Sequence, residues 1–305
     1  MAEAVAYDET HRPALLALMR EAFEGQGDEK FLDSLIAGSE RIWLAAGAGD
    51  DFNGFCRVVA DEETRARGRA CMDILYLGAL APEISPASRE AGKALIEAVR
   101  GHAREKDFDG IWSYFSEPLD PDFIDETNGK RLREIRLLRL ELDDAHHVPQ
   151  LPEGYRLRPF SLPDDLSLAA QIYNDTFAEM WNFWSHSEND IAHWFESADT
   201  APEDCFLLEY EGADLSPGAG IAVLAIDRAR IEGGDRTAYL PDIGVARDHR
   251  RRGLGGVLMA AMVGRAKEQN LLAIELIVDD LDPAAKAFYK NIGFVEMGKI
   301  TVYEW

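Results

Sequence analysis

Residues 239–278 constrain this chain more than any other stretch, because they read as strand, glycine-rich turn, helix and strand in unbroken order. Tyr239 to Val245 (Y-L-P-D-I-G-V) has a strand pattern, and Leu254 to Gln269 places Leu254, Val257, Leu258, Ala261 and Met262 at helical spacing. A second apolar run spans Leu271 to Val278. Between strand and helix lies V-A-R-D-H-R-R-R-G-L-G-G, from Val245 to Gly256. Gly253, Gly255 and Gly256 allow positive φ and a close approach of backbone to ligand. The first N–H groups of a helix lack intrahelical partners. Together with the positive end of the helix dipole and with Arg250, Arg251 and Arg252, those donors predict a cradle for phosphate or pyrophosphate. The plain alternative is a basic turn that only starts a helix.

The segment that follows, D-L-D-P-A-A-K-A-F-Y-K-N-I-G-F from Asp280 to Phe294, carries a second pattern. Arg250-x-x-Gly253-x-Gly255 resembles the Arg/Gln-x-x-Gly-x-Gly/Ala motif of the GNAT acyltransferase superfamily. Asp282-Pro-Ala-Ala285, Phe288-Tyr289 and Gly293-Phe294 resemble that family's Asn-x-x-Ala, Tyr and Gly-Phe segment. The clear matches run from about Tyr239 to Phe294, with weaker support from Glu153 onward. This resemblance implies acetyl-CoA as cosubstrate, with its pyrophosphate held at Arg250, Arg251, Arg252, Gly253, Gly255 and Gly256. It implies that Ile243 and Val245 flank the thioester, that the Val245 N–H faces the oxyanion, and that Tyr289 protonates the departing thiolate. Asp282 stands where asparagine is usual; it keeps the acceptor oxygens and loses the amide donor. On its residues alone Tyr289 could equally be core, since Tyr and Phe on an amphipathic helix commonly pack.

The chemistry so implied is direct attack of a neutral amine on the thioester. A protonated amine of pKa near 10 must first lose a proton, and Asp242 and Tyr239 are the nearby candidates for the base, with Asp242 preferred. Strand alternation puts Asp242 and Gly244 on one face, Ile243 and Val245 on the other. Asn174, Met180, Trp181, Phe183, Trp184, His186 and Trp194 concentrate where the acceptor pocket should form. They suit either an aromatic wall or a helix pair packed on a sheet. His186 and His193 have no accompanying ligands, so no metal is expected.

The two halves of the chain share one order of elements. Residues 5–38 read as a short strand, a helix around Leu15 to Phe23 and a helix around Phe31 to Ile36; residues 155–195 repeat that order, with Phe177 in the place of Phe23. Ile42 to Ala46, Gly54 to Ala60, Cys71 to Leu80 and Gly110 to Phe115 read as strands, and Ser88 to Lys106 as a helix. Phe206 to Glu209, Ile221 to Asp227 and Tyr239 to Val245 are the comparable strands of the second half. The corresponding turn of the first half, Leu80 to Gly92, has Pro82, Pro86, Glu83 and Glu90 and no G-x-G, so its cradle is missing. The expected fold class is α+β: two GNAT-like domains, each a mixed, mostly antiparallel twisted sheet flanked by helices. Residues 1–147 form a degenerate domain that does not bind CoA, and residues 148–305 the acetyl-CoA domain, joined through the proline-punctuated Asp143 to Pro152. The arrangement resembles tandem GNAT enzymes, the mycothiol synthase type among them, in which one half can be catalytically silent.

Composition limits the partners. With 56 Asp and Glu against 32 Lys and Arg, the net charge of -24 disfavours nucleic acid and anionic membrane, suits a cationic small molecule, and equally suits a solubilising surface. No apolar run reaches membrane-span or signal-peptide length, so a soluble cytoplasmic protein is expected. Cys56, Cys71 and Cys205 are widely spaced, which fits free thiols. Monomer and homodimer both remain compatible. Two rivals follow: a non-catalytic acetyl-CoA sensor or structural module, and a nucleotide-binding protein, the latter disfavoured because no G-x-x-x-x-G-K-[ST] occurs.

Overall fold

The computed structural model describes residues 2–23, 28–47, 52–60, 64–65, 68–77, 85–116, 118–143, 149–196 and 199–305, apart from the side chain of Ala229. The junction expected at 147/148, and Pro82 and Glu83 of the first half's turn, lie outside the described residues. Chain contacts divide the protein into two units. One comprises Met1–Ile135, Asp279–Leu281 and Lys299–Trp305, the other Arg136–Val278 and Asp282–Gly298.

In the first unit β1 (Glu3–Ala6), β2 (Arg41–Ala46), β3 (Phe52–Val59) and β4 (Arg69–Tyr76) pair antiparallel in that order. β5 (Gly110–Phe115) lies parallel to β4, over Arg69–Met72 and Gly110–Ser113. Residues Thr301–Glu304 then pair antiparallel with β5. Strand alternation divides β2 between two layers. Ile42 and Leu44 meet α1 (Arg12–Ala22) and α2 (Glu29–Ala37) through Leu15, Met19, Leu32 and Leu35. Trp43 and Ala45 join the layer of α3 (Pro86–Glu105), whose Ala91, Leu95, Ile96 and Val99 recur at helical spacing. α4 (Pro121–Glu126) adds Phe123 and Ile124 to that layer.

The second unit repeats the plan. β7 (Tyr155–Pro159), β8 (Cys205–Tyr210), β9 (Gly218–Ala225) and β10 (Thr237–Val245) pair antiparallel, and β11 (Ala273–Asp279) lies parallel to β10. β6 (Lys130–Glu141) neighbours β11, where Arg139 meets Glu275 at 2.8 Å. Here β9 shows the same alternation. Ile221 and Val223 face α5 (Leu166–Phe177) and α6 (Glu188–His193). Ala222 and Leu224 face α8 (Leu254–Glu268) and α9 (Pro283–Ile292), beyond the short α7 (Arg228–Glu232). The remaining C-terminal strand is β12 (Val295–Glu304).

Candidate active site

The site begins where β10 and β11 part. Their parallel ladder joins Thr237–Tyr239 to Ala273–Glu275 and goes no further, whereas β10 stays paired with β9 as far as Val245. Pro241, which has no N–H to give a ladder, lies at the irregularity between Tyr239 and Asp242. The Ala246 N–H donates to the Ala219 carbonyl at 2.9 Å. Because an antiparallel ladder alternates, the backbone groups of Asp242 and Gly244 then point at β9, and those of Ile243 and Val245 point away, into the opening. The Val245 carbonyl is met there by Arg250 Nε at 3.0 Å. On the opposite strand face, a Cβ at Gly244 would stand 2.2 Å from Thr176 Cγ2, so only glycine lets β10 lie this close to α5.

A 3₁₀ turn, Arg247–His249, connects β10 to the cradle. Arg251 has φ +64° and Gly253 φ +81°, both in the left-handed region. Gly253 is the N-cap of α8 and brings no side chain to cap it. No hydrogen bond among the described residues uses the N–H of Arg251, Arg252, Gly253, Leu254 or Gly255. The start of α3 differs physically: Pro86 has no N–H, and Ser85 Oγ accepts from the Ser88 N–H at 3.1 Å. Arg250, itself exposed, donates also to the Thr176 carbonyl at 2.9 Å and pairs with Glu179 at 3.2 Å. Arg247 shares Glu179, while Arg251 and Arg252 are exposed. Gly256 faces Pro149, and Gly255 faces the Phe288 ring, where an added Cβ would make contact at 3.4 Å.

Asp282 caps α9, its Oδ1 accepting from the Ala285 N–H at 2.9 Å. About two turns on, Tyr289 is buried between Phe288 and Phe294, with ring centroids at 5.3 and 5.4 Å. Burial, reinforced by the negative charges of Asp282 and Asp242, raises the Tyr289 phenol above its ordinary value. Its hydroxyl has no hydrogen bond among the described residues. Tyr239 is raised too, by burial first and Asp242 second.

Asp242 lies toward α5 and accepts from the Tyr173 hydroxyl at 3.3 Å. Around Tyr173 the rings of His186, Phe177 and Trp194 gather at 4.2, 4.6 and 5.3 Å, and Trp184 lies tilted against His186 at 4.3 Å. Asn174 fixes the loop bearing them, donating to the His186 carbonyl at 2.9 Å and accepting from its N–H at 2.8 Å. Met180 is exposed, and His193 pairs with Glu196 at 3.5 Å on the surface. Thr176 Oγ1 and Trp184 Nε1 are buried without a hydrogen-bond partner among the described residues. No group of His, Cys, Asp or Glu able to hold a metal occurs among the described residues. Sequence reasoning assigned no role to Tyr173, Glu179, Tyr155 or His249. Only the position of His249 inside the basic turn could have drawn attention to it.

Comparison with known proteins agrees with this geometry. Residues 168–294 match the model of the acetyltransferase (GNAT) family. Residues 168–294 thus read as a GNAT acetyltransferase domain, and acetyl-CoA is that family's cosubstrate. It is similar to a mycothiol acetyltransferase of Kocuria rhizophila, 23% identical over 301 residues, covering 92% of this chain and 91% of the relative. Another, from Pseudarthrobacter chlorophenolicus, is 27% identical over 265 residues, covering 84% of this chain and 75% of the relative. Among solved structures, a GCN5-related N-acetyltransferase of Sphaerobacter thermophilus superposes with a TM-score of 0.70 at 16% identity, covering 100% of this chain and 95% of that one. A tandem GNAT protein from the clavulanic acid biosynthesis pathway gives 0.64 at 18%, covering 100% and 98%. These last two share the fold. Among the described residues no helix is long and apolar enough to cross a membrane.

Proposed function

We propose that the protein transfers the acetyl group of acetyl-CoA to the primary amine of a small-molecule acceptor by direct attack, with the chemistry confined to residues 148–305. The observation that carries this reading is the unspent row of N–H groups at the start of α8, beside the open edge of β10. The cradle binds the pyrophosphate. The backbone groups of Ile243 and Val245 orient the pantetheine arm, converting an encounter into a near-intramolecular reaction. Asp242 accepts the ammonium proton, and the amine nitrogen then bonds to the thioester carbon. The Val245 N–H stabilises the oxyanion. As the C–S bond breaks, the nitrogen gives up its second proton to solvent, the sulfur takes the electron pair, and the Tyr289 hydroxyl donates a hydrogen bond to the thiolate. Burial suits Tyr289 to this, because a raised phenol stays protonated at neutral pH.

The acceptor occupies the layer of Tyr173, Trp184, His186 and Trp194, where Asp242 draws a cation and the Trp184 and Thr176 polar atoms await partners. Residues 1–147 act as a degenerate half that does not hold CoA, which the proline and the serine cap at the start of α3 support. Release of free CoA thiol from acetyl-CoA, followed against a panel of amines, tests the activity. The names of the relatives place amines of the mycothiol type first in that panel. Amine-dependent release is expected. Binding of acetyl-CoA with no release for any amine would favour the sensor instead.

A further inference from the structure

The cradle exposes Arg251, Arg252 and Gly253, and it holds two left-handed residues within three positions. A non-glycine residue in that region is disfavoured and persists only where its surroundings fix it. Something beneath the turn must therefore supply the rigidity. His249 is 0% exposed although it sits in a basic surface turn. Its Nδ1 lies 3.0 Å from the Tyr155 hydroxyl on β7, and its Nε2 lies 3.0 Å from the Ser216 carbonyl before β9. A carbonyl only accepts, so Nε2 carries the proton and Nδ1 accepts from Tyr155. The Tyr155 and Tyr210 rings stand 5.7 and 5.5 Å from the imidazole, and Tyr210 is itself held by Asp214 at 2.8 Å. Burial lowers the affinity of the ring for a second proton, so the neutral tautomer is the resting form.

We infer that His249 is the positioning residue of the acetyl-CoA cradle: its two ring nitrogens staple the turn to two separate segments and thereby hold the backbone donors of residues 251–255 ready for the pyrophosphate. The inference rests on the acetyl-CoA reading above and adds a residue to it. Its consequence is that donor affinity depends on hydrogen bonds made by a side chain that touches no part of the ligand. Arg250 braces the other flank through Val245, Thr176 and Glu179 and leaves the base of the turn to His249.

Calorimetric titration with acetyl-CoA, paired with steady-state kinetics, tests this on the full chain. His249→Phe keeps an aromatic ring and loses both hydrogen bonds; it should raise Kd and KM for acetyl-CoA by about tenfold, while kcat at saturation falls by less than threefold. His249→Gln loses the ring and can return a donor to Ser216, so it should bind more tightly than His249→Phe. If ring volume were all that mattered, the order of the two variants would reverse, and that result overturns the inference. Tyr155→Phe removes one hydroxyl from a different element and should weaken binding by about threefold, so the claim stays open to refutation even if a His249 variant fails to fold. Affinity within twofold of the parent in both His249→Phe and Tyr155→Phe rejects the staple alone. Absence of acetyl-CoA binding by the parent chain rejects the staple and the donor reading together.

Discussion

Tyr289 packs its ring between Phe288 and Phe294 and carries its proton at any physiological pH. If that proton serves the departing sulfur, Tyr289→Phe should lower kcat by at least about tenfold and leave the Kd for acetyl-CoA unchanged, as single-turnover assays and calorimetry can read. A fall of less than threefold would return Tyr289 to the core. The buried histidines give a second prediction. His249 and His102 are both held below the ordinary value of 6.5, burial being the first cause in each. Above that value both folded and unfolded chains carry neutral rings, so neither residue makes stability depend on pH. Below it the unfolded chain takes up protons that the folded chain resists, so unfolding free energy should fall by up to about 1.4 kcal/mol per pH unit for each histidine. Thermal unfolding from pH 7.5 to 5.5 should show the decline, with a shallower slope in His249→Phe. The positive φ of Gly253 was legible because glycine spacing in the turn announces it. Tyr173, Glu179 and His249 were not, since their roles depend on which distant groups the fold brings within 3.5 Å, and periodicity carries no such information.

Among the elements, β10 and α8 set the geometry through glycines that do different work. Gly244 has no room for a Cβ beside Thr176, whereas among the described residues nothing lies within 4 Å of a Cβ at Gly253, whose constraint is its φ of +81°. Gly244→Ala should therefore lower the melting temperature by several degrees. Gly253→Val should act chiefly on acetyl-CoA affinity, weakening it by about tenfold or more, because a β-branched residue is a backbone outlier there. Scanning calorimetry beside ligand titration separates the two effects. The sequence reading placed the strand Gly110–Phe115 at its observed bounds and the helix of α8 within a residue of its end. β6 and β12 went unread although both are long. The charges of β6, Arg133, Arg136 and Arg139, are paired by Asp279, Glu296 and Glu275, and such tertiary pairing lets a charged sequence form a strand that composition disguises.

For the whole molecule, the repeated order of strands was visible in the sequence as a repeated order of elements, and both units are built on it. Hidden was the grouping of Lys299–Trp305 with the first unit, because strand partners far apart in sequence leave no local mark. Thr301–Glu304 pair with β5, and Tyr303 and Trp305 are buried with Ile111 and Phe123. Deletion of residues 299–305 should therefore unfold the first unit at a lower temperature than in the full chain, as proteolysis of its segments would report.

The two units share a parallel pair that carries a crossover helix, β4 with β5 and β10 with β11, and they differ in how that helix begins. Pro86 lacks an N–H where α8 has one free, and Ser85 Oγ occupies the Ser88 N–H. Calorimetric titration of the full chain with acetyl-CoA tests that difference most directly. The expected result is one site per chain, abolished or severely weakened by Gly253→Val. A stoichiometry of two would contradict the silent first half, and no binding of acetyl-CoA or CoA would contradict the cradle itself.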